Sequence, residues 1–195
     1  MLKKRIAVLL FAALFLVLGA CANANDENTE GTESTEENMN EDMKGMDHSN
    51  MDMSSSGEVP EGLKTAENPK YEIGSKAIIT DAHMEGMKGA EATIVGAYDT
   101  TVYTISYTPT TGGEKVKNHK WVIHEELQDA GESPIEPGTE VTVNADHMEG
   151  MEGVTAEIDT AEKTTVYMVD FTPTTGGEEV KNHKWVTDSE LSPAE

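Results

Sequence analysis

Polar and apolar positions along this 195-residue chain fall into three regimes. An apolar run, Ile6 to Leu18, follows the basic Lys3-Lys4-Arg5 and is interrupted by no charge. Residues 22–57 are Asn, Asp, Glu, Thr, Ser and Gly, with almost no apolar side chain except Met. Beyond them, short β-branched runs recur between glycine-rich turns. Alternation and β-branched content predict strands over 76–80, 92–95, 101–107 and 120–123, and again over 140–143. Thr110-Thr111-Gly112-Gly113-Glu114 reads as a glycine turn after Pro109, and Glu125-Glu126-Leu127 ends the last strand. Short strands at this spacing, with no long helical period, predict an all-β fold of two tandem small barrels, SH3- or KOW-like in strand order. That analogy concerns fold and carries no function by itself.

The second half of the chain repeats the first. From Gly74 onward it aligns without a gap to Gly138 onward, and roughly 30 of about 54 aligned positions are identical, the mark of duplicated units. Two blocks return intact: His83-Met84-Glu85-Gly86-Met87 as His147-Met148-Glu149-Gly150-Met151, and Asn118-His119-Lys120-Trp121 as Asn182-His183-Lys184-Trp185.

The front end has the look of an exported protein. Its apolar run is too short for a comfortable transmembrane helix and has the flanks of a secretory signal. Leu18-Gly19-Ala20-Cys21 resembles a bacterial lipobox, which would make Cys21 the lipidated first residue of the mature chain. The expected organisation is a signal peptide over 1–20, a lipid-anchored, disordered, acidic Met/His-rich tether over 21–57, a first barrel repeat over 58–130 and a second over 131–195. The polar tether cannot bury enough surface to offset its ordering entropy.

Composition narrows the chemistry. Cys21 is the only cysteine, so neither an intrachain disulfide nor a thiolate metal site is expected in the folded part. The formal charge is -23 at pH 7, which repels phosphate backbones and argues against nucleic acid while attracting cations. Carboxylate pairs for acid–base catalysis do not stand out among so many scattered acids, and no nucleophilic triad or phosphate-binding glycine loop is present. The expectation is a protein that is not an enzyme.

What remains is soft-ligand chemistry. Each His-Met-Glu-Gly-Met stretch places one imidazole and two thioethers on a glycine-containing loop, a donor set that suits Cu(I), with Ag(I) as a mimic, better than hard cations. Met39, Met43, Met46, Met51 and Met53, with His48, repeat the donor type in the tether, where methionine has no packing role. An alternative stands for the loops: Met84 and Met87 can plug a barrel end as adaptable hydrophobes, leaving His83 a polar surface residue. For the second block, His119 and His183 complete a metal site or sit as satisfied polar neighbours. Trp121 and Trp185 are core residues or cap a cation through the indole face. His124 aligns with Asp188 and reads as surface polar.

The lipobox, the acidic Met/His tether and the tandem His-Met-Glu-Gly-Met…Thr-Pro-Thr-Thr-Gly-Gly-Glu…Val-Lys-Asn-His-Lys-Trp-Val units resemble the YdhK/CopL-type copper-binding lipoproteins of Gram-positive bacteria. The resemblance implies a protein anchored to the extracellular face of the cell membrane that binds Cu(I) and supports copper tolerance, alongside a copper-exporting ATPase or multicopper oxidase. It implies His83, Met84, Met87 and His119 as ligands in the first unit and His147, Met148, Met151 and His183 in the second. Two other expectations compete with a copper buffer: a cell-wall or protein interaction module built on SH3-like barrels, and a metallochaperone that delivers copper to an exporter or oxidase.

Overall fold

The computed structural model describes residues 54–81 and 83–194. Residues 1–20, expected as a signal peptide, Cys21 and the expected tether donors Met39, Met43, Met46, His48, Met51 and Met53 lie outside the described residues. The fold is all-β. In chain order its strands are β1 (Lys64–Thr65), β2 (Lys76–Ile79), β3 (Glu91–Tyr107), β4 (Val116–Ile123), β5 (Leu127–Gln128), β6 (Glu140–Val143), β7 (Thr155–Phe171), β8 (Val180–Thr187) and β9 (Leu191–Pro193). Short 3-10 turns, His124–Glu126 and Asp188–Glu190, follow β4 and β8.

The largest departure from the sequence pattern is β3. Two strands are expected over 92–95 and 101–107; one continuous strand of 17 residues is found, and β7 matches it. The two pair antiparallel from Ala92 opposite Phe171 to Tyr107 opposite Ala156. This ladder keeps the chain extended through Gly96, where a local reading sees a break. The repeat-equivalent residues Val95 and Asp159 drop out of register, and such bulges let a long strand bend and change the face it presents. A strand of this length spans about 55 Å, too far for one small barrel.

Each end of the long pair therefore serves a different core. One core joins Ala77, Ile79, Met87, Ala92 and Ile94 of the first repeat to Tyr167, Val169, Phe171, Val186 and Leu191 of the second. The other joins Tyr103, Ile105, Tyr107, Val122 and Leu127 to Val143, Met151, Val154, Ala156 and Ile158. Strand pairing follows the same exchange: β9 pairs with β2, and β5 with β6. The strand pairing thus adds an exchange that the repeat boundaries alone do not contain: each barrel takes its opening strand from one repeat and its closing strand from the other. A third cluster, Val102, Trp121, Ile123, Val166, Met168 and Trp185, fills the seam between them.

Residues 54–57 extend the ordered part beyond the expected tether boundary. Ser55 donates its amide to the Lys181 carbonyl (2.9 Å) and its hydroxyl to the Asn182 carbonyl (2.7 Å), and the Asn182 amide side chain donates back to the Ser55 carbonyl (3.2 Å). The backbone of β8 at Lys181 and Asn182 supplies these partners, which the composition of the segment does not reveal.

Candidate functional site

The two His-Met-Glu-Gly-Met loops connect β2 to β3 and β6 to β7, and they are built alike. In the first, Met87 donates its amide to the Met84 carbonyl and Gly89 returns to Ile79; in the second, Met151 bonds to Met148 and Gly153 to Val143. Gly86 and Gly150 sit at φ of +83° and +77°, a region glycine enters without a Cβ penalty. Each loop is backed by the turn of the opposite repeat. The Thr174 amide bonds to the Gly86 carbonyl and the Thr110 amide to the Gly150 carbonyl, both at 2.9 Å. A Cβ on Gly86 would lie 2.8 Å from the Pro173 Cβ and the Thr175 hydroxyl. The Thr-Pro-Thr-Thr-Gly-Gly turn is thus the seat of the partner repeat's loop.

Within each loop the two thioethers part company. Met87 and Met151 are fully buried, 0% exposed, in the two cores. The plugging role weighed for the loop methionines fits this pair. Met84 and Met148 are only half-buried, Met84 packing against the rim of the first core. One methionine per loop is thus not sealed in a core.

The loop histidines turn inward. His83 is 5% exposed at its side chain, and its Nε2 lies 2.7 Å from Glu190 Oε1. His147 makes the equivalent contact with Glu126 at 2.8 Å. Neither is the surface polar residue of the alternative reading, because a buried carboxylate from the other repeat supplies its partner. Each carboxylate also receives an indole N–H across the seam: Trp121 Nε1 donates to Glu190 Oε2 at 2.8 Å, and Trp185 Nε1 to Glu126 Oε1 at 3.0 Å. The tryptophans are core residues of the seam, with their polar edge spent on these acids.

Glu190 is the better tied of the two. The Thr187 amide and hydroxyl both donate to its Oε2 at 2.9 Å. Burial alone pushes its carboxyl upward; the hydrogen bond and charge of His83, the Thr187 amide and the Trp121 indole outweigh it and bring it from 4.5 down to about 2. Lys120 bridges to Asp81 Oδ2 (2.8 Å) and Glu190 Oε1 (3.4 Å). Burial pulls its ammonium downward, and the bond to Asp81 and the charge of Glu190 more than reverse this.

His119 and His183 are buried on β4 and β8. The His119 ring stands edge-on to Tyr107 at 5.9 Å between centroids, and His183 to Phe171 at 5.7 Å. The Tyr107 hydroxyl in turn donates to the Met148 sulfur at 3.9 Å. Burial pushes Tyr107 up to about 12, so it stays a donor at neutral pH. His119 therefore belongs in space with the second repeat's loop, and His183 shares a core with the first. The strand exchange is the reason for these contacts between repeats. His124 is half-buried, 3.0 Å from the Tyr103 hydroxyl and 3.2 Å from the Gly131 carbonyl.

Sequence reasoning passed over Glu126, Glu190 and Tyr107. The acids had a signal, since Glu-Leu recurs at 126–127 and 190–191, but in an acidic chain two more carboxylates do not stand out. Among the described residues, no group of three or more His, Cys, Asp or Glu side chains is gathered as a hard-cation site would need. The donors that distinguish the site are thioethers.

Comparison with known proteins fits the duplication. The model of a family described as "Protein of unknown function (DUF1541)" matches residues 73–124 and 137–188. The chain is 57% identical over 190 residues to a Bacillus subtilis (strain 168) protein described as "Uncharacterized protein YdhK", covering 97% of this chain and 89% of that one. A crystal structure of a DUF1541 family protein (YdhK) from Bacillus subtilis is 63% identical, covers 75% of this chain and all of its own, and superposes with a TM-score of 0.72. A solution structure of the YdhK C-terminal domain is 65% identical, covers 63% of this chain and 92% of its own, with a TM-score of 0.60.

Proposed function

This chain belongs to the DUF1541 family, and we propose that it is a lipid-anchored extracellular protein that binds Cu(I) and buffers it at the cell surface, supporting copper tolerance. The observation that carries the reading is the split within each loop. One methionine is spent on the core while Met84 or Met148 stays only half-buried, in both copies. A half-buried thioether on the same loop as an imidazole suits a soft monovalent ion and offers little to hard cations. The tether donors Met39, Met43, Met46, His48, Met51 and Met53 would gather further ions, and the acidic surface would raise their local concentration. Lipidation at Cys21 would keep the protein at the outer face of the membrane. Nothing in this arrangement asks for catalysis, and the chemistry required is reversible ligation. Transfer to a copper-exporting ATPase or multicopper oxidase would use the same sites.

The test is anaerobic Cu(I) titration of the full chain against a chromophoric competing chelator. Met84→Leu with Met148→Leu keeps volume and apolarity while deleting sulfur; it should remove one tight ion per loop and leave the melting temperature near that of the parent. Unchanged stoichiometry would sink the loop assignment.

A peptide-docking role has one observation behind it. The β8 edge at Lys181 and Asn182 takes the Ser54–Ser55 segment through one backbone bond, the Ser55 amide to the Lys181 carbonyl, and through both serine hydroxyls, as a strand edge takes a peptide. Retention of wall-fragment binding after both loops are stripped of methionine would favour that role.

A further inference from the structure

The strand exchange has a consequence for where an ion would sit. We infer that each Cu(I) site is composite, pairing the loop thioether of one repeat with the buried imidazole of the other: Met148 with His119, and Met84 with His183. This rests on the Cu(I) reading above and deepens it.

Three independent contacts point the same way. First, a single aromatic ring links donor to donor in the second barrel: Tyr107 gives its hydroxyl to the Met148 sulfur at 3.9 Å and its ring to the His119 imidazole at 5.9 Å. Residue 107 and His119 come from the first repeat and Met148 from the second. In the other barrel Phe171 replaces the tyrosine. It stacks edge-on with His183 at 5.7 Å and belongs to the core against which Met84 packs. Second, each loop rests on the opposite repeat's turn, Gly86 on Pro173 and Thr174, Gly150 on Pro109 and Thr110. The loop's position is thereby fixed relative to the strand that carries the opposite histidine. Third, the loop histidines tie each loop to the other repeat: His83 Nε2 to Glu190 and His147 Nε2 to Glu126.

The chemistry is consistent with that division. Thioether and imidazole are both neutral donors, so a monovalent ion can be held without burying a second charge, and no carboxylate is required in the shell. Glu126 and Glu190 would then act as positioning residues: by holding the loop histidines they orient the loops whose sulfurs face the other repeat.

A double-mutant cycle on the full chain reads the pairing directly. His119→Gln, Met148→Leu and Met84→Leu are compared singly and in pairs by anaerobic Cu(I) competition, with the tether methionines 39, 43, 46, 51 and 53 changed to Leu so that only the folded sites report. The expected result is that His119→Gln and Met148→Leu each weaken one of the two binding steps at least tenfold, and that the pair is no worse than either single change. Adding Met84→Leu to His119→Gln should instead weaken both steps. Coupling of His119 with Met84, or no effect of His119→Gln, overturns the composite site while leaving Cu(I) binding standing. If the parent itself binds no tighter than the Met84→Leu, Met148→Leu chain, the copper reading beneath it fails. Copper-edge X-ray absorption keeps the idea testable should a variant lose affinity through misfolding. In the Met84→Leu chain the remaining copper should lose its nitrogen scatterer on His119→Gln and keep it on His183→Gln; the reverse pattern overturns the pairing.

Discussion

His83 and Glu190 lie 107 positions apart and meet through Nε2 and Oε1 at 2.7 Å, with both side chains 5% exposed. The same carboxylate takes the Trp121 indole and the Thr187 amide, so one acid from the second repeat ties down a loop and a strand of the first. Glu190→Ala should therefore destabilise the fold by roughly 3 kcal/mol, since it strands several buried donors at once. Chemical denaturation measures it; a loss under about 1 kcal/mol would show that these donors find other partners.

The acid limb of stability follows from the same residue. Folded Glu190 ionises near 2 and its ordinary value is 4.5. A carboxyl depressed on folding contributes stability that is present above pH 4.5 and lost as pH falls through 2. The contribution is on the order of 3 kcal/mol. Denaturation curves collected from pH 5 down to pH 2 should steepen in loss for the parent and flatten for Glu190→Gln; parallel slopes would remove Glu190 as the cause.

Gly86 separates two effects of adding a methyl group. Its φ is +83° and a Cβ there would press on Pro173 and Thr175 at 2.8 Å, whereas Gly112, at +86°, has nothing within 4 Å of such an atom. Gly112→Ala should lose about 1 kcal/mol from backbone strain alone. Gly86→Ala should lose about 2 kcal/mol or more, adding overpacking at the repeat contact. Thermal melts compare them, and equal losses would mean that the turn of residues 173–175 yields freely.

The alkaline limb belongs to two tyrosines. Burial pushes Tyr107 up to about 12; burial does the same for Tyr167 against the opposing backbone bond of Tyr71, with smaller help from the hydrogen bond and charge of Asp188. The unfolded chain ionises near 10, so stability is lost as pH rises from 10 toward 12. In a tyrosinate absorbance titration, Tyr107→Phe and Tyr167→Phe should each delete a late component. If either variant instead removes an early one, that hydroxyl is not shielded as its burial requires.

Much of this protein is local, and so legible in one dimension. Alternation placed strands near β2, β4 and β6, and glycines marked the loops, because side-chain direction and positive φ are properties of a few consecutive residues. Duplication was visible as identity, and soft donors as residue type. What one dimension could not contain was partnership. Two similar repeats offer like local contacts whether each strand closes on its own copy or on the other, so nothing in the sequence of β9 says that it pairs with β2. That choice was made by the β3–β7 ladder, which runs unbroken past Gly96 and carries each strand from one core into the next. From it follow the Glu190–His83 and Glu126–His147 pairs, the crossing indoles, and the placing of His119 beside Tyr107 and Met148. Sequence determined which chemistry the chain carries; long-range antiparallel pairing decided which residues share it.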